Sequence, residues 1–186
     1  MSDTATAVIP GYIAGTWTLD PAHSDVSFSV RHLMVSKVRG RFTAVEGEIV
    51  TADNPLDSTV TATIDLNSIV TGDEGRDAHL RSVDFFDVAN HPTMTYRSTG
   101  LHPKGDGFVL DGELTLHGVT KHVPLALEVN GFQPDTPMGT RAGFTATGEI
   151  SRSDFGIEFN MPLEGGGFVV GDKVTLNVEI EAILKG

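Results

Sequence analysis

Hydrophobic positions along this chain recur with a period of two. In Val26-Ser27-Phe28-Ser29-Val30-Arg31-His32, apolar and polar residues alternate. The same alternation runs through Thr59–Leu66, Phe108–Leu116, Val123–Val129, Phe144–Ile150 and Val174–Ile180. Successive side chains of a strand point to opposite faces, so this pattern predicts antiparallel strands with one apolar face and one wet face. Arg41–Val50 and Thr93–Ser98 bring the set to eight, and Thr16–Leu19 is a short lead-in. His117–Thr120 and Asp53–Asp57 read as tight turns, Gly165-Gly166-Gly167 as a flexible turn or bulge, and Pro124 as a sheet edge or barrel rim. Eight strands that must bury their apolar faces together predict an all-β fold. Alternation leaves a sandwich and a closed barrel both open.

One connection breaks the short-turn pattern. Ser68 to His91 is far longer than a hairpin loop. Its middle, 73–83, predicts a short helical segment between two strands. Asp73 and Glu74 suit the positive end of a helix dipole and Arg81 the negative end. Leu80 and Val83 lie three apart, so they share a face that can rest on the sheet. Phe85 and Phe86 follow, with one of them expected to plug the core. Two roles fit the charges here. In one, Arg76, Asp77, Arg81 and Asp84 pair with each other or with strand ends as a clasp. In the other, the segment is a lid whose arginines meet an anionic head group.

Composition narrows the field. The chain has 186 residues and no cysteine, which excludes thiol catalysis, disulfide scaffolding and cysteine-zinc sites. One domain of this length buries enough surface to need no staple. The formal charge of −12 repels phosphate backbones and anionic lipid surfaces, so no nucleic-acid partner is expected. The opening MSDTATAVIPG lacks a basic segment followed by an apolar run, and no stretch approaches the ~18 apolar residues of a membrane span. A cytoplasmic chain without a membrane segment is the expectation.

Candidate catalytic chemistry is sparse. Ser24 and Ser36 sit in no nucleophile elbow, and no phosphate-binding or dinucleotide glycine motif is present. His117 and His122 flank a turn and face each other across it in this reading. Two histidines without a third ligand make a weak metal site, so no metal is expected. His23 and His32 lie at the two ends of one strand pattern, and His32 continues the inward face of Val26, Phe28 and Val30. An enzyme acting on an apolar or quinone-like substrate would draw on His79 and Asp77, near Arg76 and Arg81.

Four segments resemble a known family. "WTLDPAHSDVSFSVRHLMVSKVRGRF", "GRDAHLRSVDFFDVANHPTMTY", "GELTLHGVTKHVPLALEVNG" and "SRSDFGI" resemble, in order, blocks of the YceI-like family of bacterial lipocalin-like polyisoprenoid-binding proteins. The likeness runs from about Trp17 to Ile183. It implies a single domain, with a core of about 15–184 after an N-terminal extension of 1–14. It implies an extended eight-stranded antiparallel lipocalin-like barrel with one helical segment. It also implies an apolar channel for a polyisoprenoid or similar amphiphile such as a quinone tail, bound without covalent chemistry and without a cofactor. Channel-lining candidates are then Val26, Phe28, Val30, His32, Phe42, Val60, Ile64, Phe85, Phe86, Phe108, Leu110, Leu114, Phe144 and Ile150. Ala62 shares their face. Head-group or lid candidates are Arg76, Asp77, His79 and Arg81. Many family members carry an export signal. Pairing into a homodimer stays open, as does a ligand-free, stress-protective barrel with a filled interior.

Overall fold

The computed structural model describes residues 9–161, 163 and 169–185. The expected turn at Gly165-Gly166-Gly167 lies outside them. Among the described residues the strands are β1 (Gly15–Leu19), β2 (Asp25–His32), β3 (Ser36–Phe42), β4 (Val45–Thr51), β5 (Thr59–Asp65) and β6 (Ile69–Val70). One α-helix, α1 (Glu74–Arg81), follows. Then come β7 (Thr93–Lys104), β8 (Gly107–Leu116), β9 (Val119–His122), β10 (Leu125–Thr136), β11 (Gly139–Ser151) and β12 (Val170–Leu184).

Every strand pairing is antiparallel, and the sheet closes. It runs β1-β4-β5-β7-β8-β10-β11-β12, and β12 pairs back to β1 through Trp17 and Leu184. The N-terminal part of β12 pairs instead with β2, which leads on to β3 and β6. Three neighbouring strands are therefore each bent once. A 3-10 turn at Pro21–His23 separates β1 from β2, Thr43 and Ala44 separate β3 from β4, and a 3-10 turn at Leu66–Ser68 separates β5 from β6. Joining each broken pair leaves eight long strands, the number that the alternation predicts, with β9 as a short addition on β8. The single segment expected over Arg41–Val50 is two strands. Pro124 occupies the break between β9 and β10.

Closing the ring turns the apolar faces inward. Trp17, Leu66, Ile69 and Phe155 are the large side chains most completely buried. Trp17 donates its indole N–H to Thr51 Oγ1 at 2.8 Å, which satisfies its one polar atom. Tyr96 lies over Gly112, where any Cβ would fall 2.3 Å from its ring, and it donates its hydroxyl to the Val123 carbonyl at 2.8 Å. Burial pushes its phenol pKa up, helped by the charge of Asp111.

The helix begins and ends close to where its sequence predicts. Asp73 is the N-cap and accepts from the Arg76 N–H, and Ser82 ends the last turn. Leu80 packs on the core, but Val83 is 75% exposed, because the helix ends at Arg81 and the chain turns away before Val83 can join that face.

Candidate ligand cavity

The barrel is not filled. It holds a cavity of ≈ 260 Å³ with an almost wholly apolar wall. Each strand offers alternate residues to it, as a two-residue period requires. Val174, Leu176, Val178 and Ile180 come from β12, Val26, Phe28 and Val30 from β2, and Val60, Ala62 and Ile64 from β5. Phe108, Leu110 and Leu114 come from β8, Phe144, Ala146 and Ile150 from β11, and Phe42 from β3. Val174 to Ile180 alone spans roughly 20 Å at the ~3.3 Å rise of a strand residue. The cavity is therefore long, and its volume makes it narrow.

Of the expected lining residues, His32 does not reach the cavity. It is the last residue of β2, opposite Val170 and Ser36. The chain then turns back through Leu33 and Met34, both with left-handed backbone angles. Alternation in β2 continues past the wall, so the pattern assigns an inward position to a residue on the rim.

Aromatic rings cluster toward both ends. Toward α1, Phe42 meets Phe28 at 5.7 Å and Phe86 at 6.0 Å between ring centroids. Phe85, Phe159 and His79 form a second cluster, with centroids 5.0 to 5.2 Å apart. Phe85 and Phe86 both line the cavity. At the opposite end Phe132 touches Tyr12 at 5.4 Å, Trp17 at 5.6 Å and Phe144 at 6.1 Å. Tyr12, Thr51 and Ser58 put hydroxyls on the wall at this end, and Tyr12 donates to the Ala52 carbonyl.

The charged side chains of the helical segment act as a clasp, and of the two expected kinds of partner its arginines take the strand end, at β6 and the residues beside it, and not the neighbouring carboxylates. Arg76 donates to Thr71 Oγ1 and to the Thr71 carbonyl, both at 2.8 Å. Arg81 donates to the carbonyls of Asn67 and Ile69. Buried Asp77 accepts from the Thr71 N–H at 2.9 Å and from the Thr71 hydroxyl. His79 Nε2 lies 2.8 Å from Asp84 Oδ2. The arginines thus satisfy main-chain carbonyls and do not pair with Asp77 or Asp84. None of Arg76, Asp77, His79 and Arg81 lines the cavity. The His79–Asp77 pair that an enzyme reading needs does not form, since each of the two is bonded elsewhere.

Two buried cations escaped the sequence reading. Arg152 donates to the carbonyls of Gly171, Ile157 and Phe159 at 2.8 to 2.9 Å and to that of Val170 at 3.3 Å, knitting the chain around the α1 end. Burial lowers its pKa, opposed by the charge of Asp172. Arg141 Nη1 donates to Asp20 Oδ2 at 2.5 Å, where the chain bends between β1 and β2. His23 Nδ1 lies 2.7 Å from the same oxygen. The hydrogen bonds from His23 and Arg141 hold the Asp20 carboxyl at about 2, against an ordinary 3.8. Single charged residues within alternating strands give no sign of such cross-strand partners.

A closed antiparallel barrel around an apolar cavity is a lipocalin-like architecture. The YceI-like domain model matches residues 17–182, and the chain belongs to that family. A UPF0312 protein of Staphylococcus aureus (strain N315) is 37% identical over 171 residues, covering 89% of this chain and 95% of its own. The crystal structure of a Campylobacter jejuni YCEI protein superposes with a TM-score of 0.70 at 29% identity, covering 96% of this chain and 100% of its own. A polyisoprenoid binding domain from Saccharophagus degradans, implicated in plant cell wall breakdown, shares the fold with a TM-score of 0.68 at 19% identity, covering 93% and 100%. No helix among the described residues is long and apolar enough to cross a membrane.

Proposed function

We propose that this protein binds an amphiphilic lipid with a polyisoprenoid or similar tail inside the barrel and carries or sequesters it without covalent chemistry. The observation that carries this reading is the long, narrow, apolar cavity. A filled stress-protective barrel has no such space, and a polar substrate meets an almost wholly apolar wall with only a few hydroxyls at one end. The fold shared with the Saccharophagus degradans polyisoprenoid binding domain agrees with it. Each buried CH₂ contributes about 0.8 kcal/mol, so a tail binds through area alone. At ≈ 260 Å³ the cavity lies below the ~300–1,000 Å³ usual for small-molecule sites. A long tail therefore requires one aromatic stopper to swing aside. Isoprenoid alcohols of increasing length, titrated by displacement of a fluorescent fatty acid, are expected to bind more tightly with each added unit up to a plateau. Equal, weak binding at all lengths would sink the proposal.

The β2–β3 hairpin offers a route for exchange with a lipid surface. Its tip residues Leu33, Met34 and Val35 are 40%, 52% and 84% exposed. Leu33 donates to the Val169 carbonyl and Val169 to that of Met161, which puts a fourth exposed apolar side chain alongside. Arg31, Lys37, Arg39 and Arg41 stand exposed on the stem, and no Asp or Glu occurs from 26 to 45. An acidic protein thus turns one apolar, cationic tip outward, which suits an anionic bilayer. Met34→Asp tolerates the left-handed backbone there. It is expected to slow lipid transfer from anionic vesicles while leaving affinity for detergent-dispersed lipid unchanged. Unchanged transfer would remove the hairpin from the route.

A further inference from the structure

Outside the cavity, one cluster has the composition of a metal centre. Asp87, His91 and His117 each offer a ligand atom, and these atoms lie within 4.8 Å of one another, all half-buried. Asp87 and His91 belong to the connection after α1. The His91 N–H donates to the Asp87 carbonyl at 2.8 Å, a single helical turn that sets side chains four apart on one face. His117 comes from the β8–β9 turn, 26 residues further along the chain from His91. The imidazoles of His91 and His117 are 5.0 Å apart at 56°.

Four details point beyond chance contact. His117 Nδ1 is 3.0 Å from the Phe155 carbonyl, which can only accept. Nδ1 therefore carries the proton, and Nε2 keeps its lone pair for a cation. This is how protein metal sites usually fix the tautomer of a ligating histidine. Asp87 accepts from Asn90 Nδ2 at 2.9 Å, the matching outer support for a carboxylate ligand. Asp87 and His117 both hold left-handed backbone angles, φ 49° and 56°, a conformation that non-glycine residues adopt at a cost. Gly118 makes room as well, since a Cβ there would fall 2.9 Å from the His91 ring.

We propose that Asp87, His91 and His117 bind a divalent first-row transition ion of the zinc type. Two imidazole nitrogens and one carboxylate oxygen form a borderline donor set that leaves a fourth position open. Bonds of about 2.0–2.2 Å place tetrahedral ligands roughly 3.4 Å apart, so the three side chains close in slightly on the ion. The bound ion joins the segment after α1 to the β8–β9 turn and, through His117, to the chain at Phe155. It pins the connection that carries Phe85 and Phe86. The second cluster of similar composition, Asp20, His23 and Glu181, already has its cation in the Arg141 guanidinium. Among the described residues no lysine or arginine pairs with Asp87. This proposal stands independently of the lipid reading.

The test is titration of tag-free, chelator-stripped protein with Zn²⁺ by calorimetry and with Co²⁺ by visible absorption. One equivalent is expected, with the intense d–d bands of four-coordinate cobalt. Asp87→Asn and His117→Asn keep side chains that tolerate left-handed backbone, and Asn at 117 can still donate toward Phe155. Both variants are expected to fold and to lose about a hundredfold or more in affinity, since changes one shell further out already cost about 10–100-fold. His122→Ala and His23→Ala are expected to bind as the parent does. Absence of saturable binding by either ion overturns the proposal. So does binding that survives in both Asn variants or disappears with His23→Ala.

Discussion

Ala146→Phe is expected to weaken binding of an isoprenoid tail roughly 1,000-fold without lowering the melting temperature. Ala146 sits mid-strand in β11, opposite Leu127 and Val178, and its side chain faces the cavity. A benzyl group there fills space that about five tail carbons would take. At about 0.8 kcal/mol per CH₂ that removes about 4 kcal/mol, close to three factors of ten. The stability half of the outcome separates a hollow barrel from a filled one. Overpacking a filled core costs about 1–3 kcal/mol, whereas a hollow accepts the ring. Displacement titration and thermal melts on the same preparation give both numbers. A clear drop in melting temperature would show that Ala146 has no space in front of it.

The largest loss of stability is expected from Arg141→Met. Arg141 and Asp20 are each 11% exposed at the side chain, and the substitution leaves a buried carboxylate between β1, β2 and β12 without its guanidinium partner. Removing one partner of a buried pair costs about 3–5 kcal/mol, or roughly 6–20 °C in melting temperature for a chain of this size. Adding Asp20→Asn is expected to recover part of the loss, because the stranded charge is gone. The same pair predicts an acid response. The folded pKa of Asp20 lies at about 2, below its ordinary 3.8. The contribution of the hydrogen bonds that His23 and Arg141 make to Asp20 is thus complete above about pH 4 and is lost as pH falls toward 2. Denaturant melts across that window should show the loss in the parent and a shallower one in Asp20→Asn. Equal slopes would mean that other carboxylates carry the acid sensitivity.

How much of this was legible in the sequence depended on whether the signal was local. The period of two in Val26–His32 or Val174–Ile180 is local, and it placed the apolar face of nearly every strand. Asp73, Glu74 and Arg81 likewise marked the helix, because caps and dipole charges act within a turn. The bends were harder to see. Asp20-Pro21 is a cap followed by proline and announces the first, but Thr43-Ala44 carries no turn residue to mark the second. His32 misled for the opposite reason, its alternation being real but extending past the barrel wall. Arg76 and Arg81 turned to backbone carbonyls, which leave no trace in composition. His117 was weighed against His122, five residues away, when the fold sets it beside His91. In the structure His122 Nε2 is 3.0 Å from Asp111 instead. Asp87 and His91 do carry a local sign, an i,i+4 spacing of carboxylate and imidazole, hidden from a search for paired histidines alone.

Native mass spectrometry of the chain purified from a bacterial host shows whether the cavity holds a lipid tail. A discrete added mass is expected, which solvent extraction identifies as an isoprenoid or similarly long-tailed amphiphile, absent or much reduced in Ala146→Phe. A clean chain mass, with no rise in melting temperature when such lipids are added in excess, would contradict it, because a ligand that binds only the folded state must stabilise it.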